Sequence, residues 1–161
     1  MATAKEFILG EAQRTLDDRY RLSIPAEMIE QLMADPSQGV LAKELSGCLS
    51  LWDAATWQEK FDEGVELVRR KMMLGKLEGR NEELQRLGRL LSTRHQAVPL
   101  AARSRLLIPE GFREFLGVEP GGQVAIVGAA VCIEIWNPSR WVQYIDERMP
   151  EFRQLFDTLS S

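Results

Sequence analysis

The chain carries one sequence pattern twice, and this repeat limits the possible folds more than any other feature. RYRLSIP at 19–25 returns as RSRLLIP at 103–109, which lies 84 positions later. Chance rarely places two pairs of tryptophans in register, so we interpret the chain as a tandem duplication of a unit covering about 10–63 and 94–147. Identical residues at this offset, without a gap, are Leu16/Leu100, Glu30/Glu114, Leu32/Leu116, Pro36/Pro120, Val40/Val124, Cys48/Cys132, Trp52/Trp136, Trp57/Trp141, Asp62/Asp146 and Glu63/Glu147.

Each copy predicts the same order of secondary-structure elements. Pro25 and Pro109 follow short apolar runs typical of strands, and proline ends a strand while suiting the first turn of a helix. Apolar residues behind both prolines recur at helical spacing. Asp53 and Asn137 stand where a later helix requires an N-cap. The expected order is two strands, of which the second is 21–24 or 105–108, then a short helix (26–33 or 110–117), a turn (35–39 or 119–122), a hairpin of two strands (40–43 and 48–52, or 124–128 and 132–136) and a helix from the cap.

Helical patterns occupy the sequence between and after the two copies. An apolar stripe runs from Trp57 to Met72, and a leucine stripe follows from Leu77 to Leu91, beyond Gly75. A last stripe after Pro150 predicts a terminal helix. The expected fold class is α+β, with a first unit at 7–63, a helical insert at 64–92, a second unit at 93–147 and a C-terminal helix at 148–161.

A unit of roughly 50 residues with a few short strands buries too little apolar surface to be stable alone. We therefore expect the copies to pack as a pseudo-dimer about an approximate two-fold axis. This packing gives structural roles to Pro25, Pro109, Trp52 and Trp136. It gives none to the arginines.

The repeated arginines are the candidate functional residues. They are Arg14, Arg19 and Arg21 in the first copy and Arg103 and Arg105 in the second, with Arg94 upstream. Residues two apart on an extended chain project on one face, and guanidinium groups suit phosphate oxygens and the acceptor edge of guanine. The alternative is that they form structural ion pairs, above all Asp17 with Arg21. The residues alone leave both possibilities open.

The segment TLDDRYRLSIPAEM at 15–28 resembles the signature of the MraZ family, whose members belong to the AbrB-like superfamily of swapped-hairpin DNA-binding domains. The family pattern is Asp-x-x-x-Arg in each of two tandem units, with the arginine leading a strand that ends in Ile-Pro. Asp17 and Arg21 match it, and the second copy keeps Arg105, while Ala101 stands in place of its aspartate. Before the arginine, where the family commonly has a glycine that permits positive φ, this chain has Tyr20 and Ser104.

The resemblance implies a repressor that assembles into a ring and binds short direct repeats of double-stranded DNA in the promoter of the division and cell-wall gene cluster. The arginines of both units would contact the DNA. A second hypothesis is a ring-forming interaction protein of the same fold that has lost DNA binding. An antitoxin-like partner of a toxin fits less well, because such relatives usually carry a single unit and a disordered tail.

Composition argues against other functional classes. The 161 residues are 45% hydrophobic and carry a net charge of −4, which leaves room for a core and for a local basic surface. No apolar run has the length of a membrane helix or a signal peptide, so we expect a cytoplasmic, nucleoid-associated protein without a membrane partner. His95 is the single histidine, Cys48 and Cys132 lack metal-binding spacing, and EPGGQ at 119–123 lacks the P-loop lysine. We expect no enzyme activity, metal, cofactor or small-molecule substrate.

Charged residues on the predicted helices have two interpretations. The acids form a solvated face or part of a subunit interface, and the basic segment 68–76 is either surface or a further phosphate contact. The acids are Glu59, Asp62, Glu63, Glu66, Asp146 and Glu147.

Overall fold

The computed structural model describes residues 7–36 and 38–161, so the predicted turn at 35–39 falls in part outside the described residues, at Ser37. Within these ranges the chain forms strands and helices of an α+β protein, as expected. The strands are β1 (Glu11–Thr15), β2 (Arg21–Ser23), β3 (Gly39–Leu45), β4 (Cys48–Asp53), β5 (His95–Val98), β6 (Leu100–Ala101), β7 (Arg105–Leu107), β8 (Gln123–Gly128) and β9 (Ile133–Trp136). The α-helices are α1 (Ala26–Leu32), α2 (Ala54–Met73), α3 (Asn81–Thr93), α4 (Glu110–Leu116), α5 (Pro138–Arg148) and α6 (Phe152–Ser160).

The helix boundaries follow local chemistry. Pro25 and Pro109 precede α1 and α4 directly, because proline suits a helix start and cannot donate to a strand ladder. The Asp53 carboxylate accepts the Thr56 amide at 3.2 Å, which caps α2 as expected. The Asn137 side chain caps α5 by accepting the Ser139 amide at 3.1 Å. The side-chain caps of α2 and α5 lie at the predicted positions.

The first strand of each copy pairs with the hairpin of the other copy. β1 lies antiparallel to β8, and β5 lies antiparallel to β3. The two hairpins join through β4 and β9, which gives a six-stranded sheet in the order β1-β8-β9-β4-β3-β5. A smaller sheet, in the order β2-β7-β6, joins the two copies a second time. The copies are thus interlaced.

An approximate two-fold axis passes between equivalent residues of both sheets. Leu22 lies directly opposite Leu106 in the β2–β7 pair, and Ser50 lies opposite Glu134 in the β4–β9 pair. The predicted pseudo-dimer is confirmed. The symmetry is imperfect, since His95 pairs with Ala42, one position from its two-fold equivalent.

Both copies contribute to one hydrophobic core between the two sheets. Its side chains come from the small sheet, from the helices behind it and from the central strands of the large sheet. Burying a leucine or isoleucine contributes roughly 1.5–3 kcal/mol, so the shared core binds the halves together. The central members are Leu16, Leu22, Ile24, Leu49, Leu51, Leu106, Ile108, Phe112, Ile133 and Ile135.

The other face of the large sheet is covered by the helices that follow each hairpin. Trp52 packs with Trp57 of α2, and Trp136 packs with Trp141 of α5, with ring centroids 5.9 and 5.3 Å apart. The indole N–H of Trp136 donates to the Glu134 carboxylate at 2.9 Å. Burial raises the pKa of Glu134 above its usual range. Each repeated tryptophan pair therefore joins a strand of the large sheet to the helix that follows it.

The two cysteines are buried in the clusters around these tryptophans. Burial raises the pKa of the Cys48 thiol, and it raises that of Cys132 to about 12. Their expected role in core packing is confirmed. His95, half-buried at the sheet edge, packs its ring near those of Trp57 and Phe61, at 5.4 and 5.0 Å.

The helices beyond the repeats leave much apolar surface open. Between α2 and α3 lies a groove of about 420 Å³ lined largely by Val65, Val68, Met72, Leu84, Leu87 and Leu91. The terminal helix α6 exposes Phe152, Leu155, Phe156 and Leu159 by 57–76% each. Across the described residues, no helix is both long enough and apolar enough to cross a membrane.

Candidate nucleic-acid interface

The β2–β7 ribbon has one buried face and one solvent-facing side. Its buried residues Leu22 and Leu106 alternate with Arg21 and Arg105, because successive side chains of a strand point to opposite faces. The two arginines occupy equivalent positions on either side of the Leu22–Leu106 axis. The outer side of the ribbon therefore presents one strand arginine from each copy.

In the first copy, Asp17 organises the turn that leads into the ribbon. Its Oδ1 atom accepts the backbone N–H groups of Arg19 and Arg21 at 2.8 and 2.9 Å. Its Oδ2 atom accepts Nε of Arg21 at 3.2 Å, which forms an ion pair. The backbone N–H of Arg21, with further contributions from Arg19 and the Arg21 guanidinium, lowers the pKa of this carboxyl. The structural ion pair that the sequence left open is therefore present.

Both turns contain a left-handed residue where the family commonly has glycine. Tyr20 has φ of 59° and Ser104 has φ of 55°. Each carbonyl accepts an amide from the other copy: Ile108 donates to Tyr20 at 2.8 Å, and Ile24 donates to Ser104 at 2.9 Å. These symmetric bonds hold each turn against the strand of its counterpart.

The second turn lacks the acid that organises the first. Ala101 pairs with Arg105 across β6 and β7 but offers no carboxylate. Within the described residues, the Nε atom of Arg105 is buried and has no hydrogen-bond partner. Arg103 is also left-handed, with φ of 65°. The strand arginine is thus paired in the first copy, as Arg21, whereas in the second copy Nε of Arg105 has no partner among the described residues.

The predicted arginines do not all share one extended face. Arg19 lies in a turn and Arg103 in a short 3₁₀ turn (Ala102–Ser104), so the expectation that each projects from a strand beside its neighbour is wrong. The reason is the left-handed backbone of the two turns, which reverses chain direction just before each strand. Both guanidinium groups remain exposed beside the ribbon.

Two upstream arginines lie outside the ribbon and its turns. Arg14 belongs to β1 of the large sheet, where its Nη1 donates to the Gln13 carbonyl at 2.9 Å. Arg94 donates from its guanidinium to the carbonyl of Lys43, which joins the end of α3 to β3. Among the described residues, the hydrogen bonds of these two side chains go to Gln13, Lys43 and Glu44, none of which lies in the ribbon.

Arg113, which the repeated arginine pattern does not include, lies in the last turn of α4. Its guanidinium carbon lies 4.1 Å from the centroid of the Tyr20 ring, and its Nε donates to the Ile108 carbonyl at 3.0 Å. The equivalent residue in the first copy is the buried Ile29, so the repeat gave no signal for it. Only the tertiary structure brings Arg113 to the first turn.

Other charged groups occupy the surfaces expected of them. The six acids singled out on the helices are exposed. Glu66 pairs with Arg69 and Arg70 of the basic segment at 3.9 and 3.6 Å. The described residues contain no group of three or more His, Cys, Asp or Glu side chains that could hold a metal ion.

The interlaced repeat, and the β2–β7 ribbon with arginines on its outer side, define an α+β protein of the duplicated swapped-hairpin class. The chain matches a family model described as "MraZ protein, putative antitoxin-like" over residues 7–71 and 94–159. The chain therefore belongs to the MraZ family.

Named relatives cover most of the chain. A protein of Roseiflexus castenholzii is 34% identical over 83% of this chain and 82% of its own length. One of Thermus thermophilus is 31% identical, covering 86% and 87%, and one of Moorella thermoacetica is 26% identical, covering 94% and 95%. All three are named "Transcriptional regulator MraZ". The family is one of regulators and is not enzymatic, as the sequence led us to expect.

Proposed function

We propose that this chain regulates transcription by binding double-stranded DNA with the outer side of the β2–β7 ribbon and its two turns. The observation that carries the proposal is the placement of Arg21 and Arg105 at equivalent positions on one solvent-facing side. Arg19 and Arg103 flank them in exposed turns. Guanidinium groups arranged in this way suit phosphates and guanine edges.

The proposed target is a set of short direct repeats in the promoter of the division and cell-wall gene cluster, with repression as the outcome. This target follows from family membership, and cytoplasmic, nucleoid-associated localisation accompanies it. Arg14 would contribute a peripheral phosphate contact from the sheet edge. The units at 7–63 and 93–147 would contact DNA, while 64–92 and 148–161 would serve assembly.

We also propose that copies of the chain assemble into a homo-oligomeric ring. The open α2–α3 groove and the four exposed apolar side chains of α6 support this proposal, since contiguous apolar surface of this kind commonly marks an interface. Several weak DNA contacts on one ring would gain affinity through effective concentration. Repeated DNA sites suit a repeated protein surface.

DNA binding is tested by titrating a duplex from upstream of the chain's own coding sequence at about 50 to 200 mM salt. The variants are Arg21→Ala, Arg105→Ala and their combination, with Arg140→Ala as a charge-matched control on α5. Each ribbon variant should weaken binding by about 5- to 150-fold, the equivalent of 1–3 kcal/mol per lost guanine contact. Arg21 is already paired with Asp17. We therefore expect Arg105→Ala to weaken binding more uniformly across different DNA sequences than Arg21→Ala does.

If none of the ribbon variants binds DNA more weakly than wild type, the DNA-binding proposal is refuted. Sedimentation of the same samples tests assembly, with Phe156→Asp expected to reduce the mass and Gln154→Asp, on the polar side of α6, expected to leave it unchanged. Normal assembly of a wild type that never binds DNA would support the alternative, a ring-forming interaction protein. The pairing of Arg21 with Asp17 and the net charge of −4 favour that alternative.

A further inference from the structure

Arg113 is held in place by two contacts that leave its charge available. One face of the guanidinium lies against the Tyr20 ring, and Nε is bound to the Ile108 carbonyl. Among the described residues, neither terminal nitrogen makes a hydrogen bond and no carboxylate forms an ion pair with the side chain. A guanidinium fixed at one edge and one face retains the outer pair of N–H groups that binds phosphate oxygens.

The residue under this guanidinium belongs to the proposed DNA-binding surface. Tyr20 lies between Arg19 and Arg21, and its left-handed backbone is one that tyrosine seldom adopts. The turn is secured by the amide of Ile108, which donates to Tyr20, and by the amide of Tyr20, which donates to Asp17 at 3.1 Å. Arg113 therefore lies at a defined place on the first turn, although it comes from the second copy.

The charge balance of the two turns shows what Arg113 adds. In the first turn, Asp17 and Asp18 offset Arg19 and Arg21. The segment 101–105 of the second turn has two arginines and no acid. Ser104 is the second-turn equivalent of Tyr20. The residue equivalent to Arg113 that would lie beside it is Ile29 of the first copy, which carries no charge. Arg113 thus supplies an extra cation to the turn that carries acids.

We propose that Arg113 is a further DNA-phosphate contact of this protein and that the Tyr20 ring positions it. This inference rests on the proposed DNA binding. Phosphate is the favoured ligand because two outward N–H groups are enough to bind the DNA backbone. Reading a base would require the guanidinium to enter a groove of the DNA. The second turn has no equivalent of this cation, so the two turns hold DNA through different sets of cations.

The experiment measures binding to two duplexes of equal length, one from upstream of the chain's own coding sequence and one unrelated. Arg113→Ala should weaken both by the same factor, about 3- to 10-fold, and reduce the log–log salt slope by about 0.9 for each subunit in contact. Arg113→Lys keeps the charge and should retain the slope. Arg140→Ala is the control, since α5 lies on the opposite side of the large sheet.

Tyr20→Gly removes the ring while suiting the left-handed backbone, and Tyr20→Phe keeps the ring. Tyr20→Gly should weaken binding less when Arg113 is already alanine, and Tyr20→Phe should bind like wild type.

If wild type binds in a salt-dependent way and Arg113→Ala titrates like Arg140→Ala, this inference fails alone. If wild type shows no salt-dependent binding, the proposed function fails with it. A lower melting temperature with an unchanged salt slope would assign Arg113 a purely structural role and overturn the proposal.

Discussion

Four positions before the strand arginine, the first copy has Asp17 and the second has Ala101. In the first copy the carboxylate binds two backbone amides and the arginine side chain. In the second copy, Nε of Arg105 is buried without an acceptor among the described residues. An unsatisfied buried donor costs about 1–3 kcal/mol, so Arg105 is retained at a cost in stability. That cost is consistent with a role outside the monomer.

Ala101→Asp should stabilise the protein and weaken DNA binding. The new carboxylate would accept from Arg105 Nε, as Asp17 does from Arg21, for a gain of about 1 kcal/mol in the free energy of unfolding. It would also offset the positive charge of the second turn. Urea unfolding and DNA titration measure the two effects. Ala102→Asp places the same charge one position away, and equal stabilities of the two variants would contradict the prediction.

The two turns before the ribbon keep a left-handed backbone although neither has a glycine there. The family pattern places a glycine before each strand arginine, and the left-handed backbone persists here with Tyr20 and Ser104. A non-glycine residue in this region costs on the order of 1–3 kcal/mol. The cross-copy amide bonds and the Arg113 stack offset part of it for Tyr20. None of these partners is close in sequence, so no local pattern could indicate them.

At the scale of elements, capping residues fix where the long helices begin. Asp53 accepts from the amide and hydroxyl of Thr56. Asn137 accepts from Ser139 and also donates to the carbonyls of Leu116 and Gly117 at the end of α4. The second cap thus joins two helices, whereas the first serves one.

Asp53→Ala should cost about 1 kcal/mol of stability and Asn137→Ala about 2 kcal/mol. The difference arises because Asn137→Ala also leaves two carbonyls at the end of α4 without their donor. Equilibrium unfolding in urea at a fixed protein concentration gives both values. Equal losses would show that the bonds from Asn137 to α4 contribute nothing.

The pairing of strands is the element-scale feature that the repeat alone could not specify. Duplication predicts equivalent strands, but a copy could pair β1 with its own hairpin or with that of its partner. The register of β1 with β8 and of β5 with β3 selects the exchanged arrangement. Pairing depends on the distance between segments after folding, which strand periodicity does not encode.

At the scale of the whole molecule, the stability of each copy depends on Leu22 and Leu106, which lie at the two-fold axis. Leu22 and Leu106 face each other in the ribbon and are almost fully buried, at 2% and 0% exposure. They belong to a single core shared by both copies. Neither half therefore has a core of its own.

Leu22→Ala and Leu106→Ala should each destabilise the protein by about 2–5 kcal/mol. The double variant should differ from the sum of the two by about 0.5–3 kcal/mol, because residues in contact share the cavity that is created. Leu107→Ala, on the exposed side of the same strand, should change stability by less than about 0.5 kcal/mol. Urea unfolding monitored by tryptophan fluorescence checks all four. Additive losses would indicate two independent cores.

The duplication, the order of elements, the helix caps and the apolar positions can all be read from the amino-acid sequence. These features depend on neighbours within a few residues or on identity at a fixed offset, and both are readable along the chain. Only in the folded structure do the copies exchange strands, and only there does Arg113 of one copy stack on Tyr20 of the other. Such contacts join residues far apart in sequence, so they exist only once the shared core brings the two copies together.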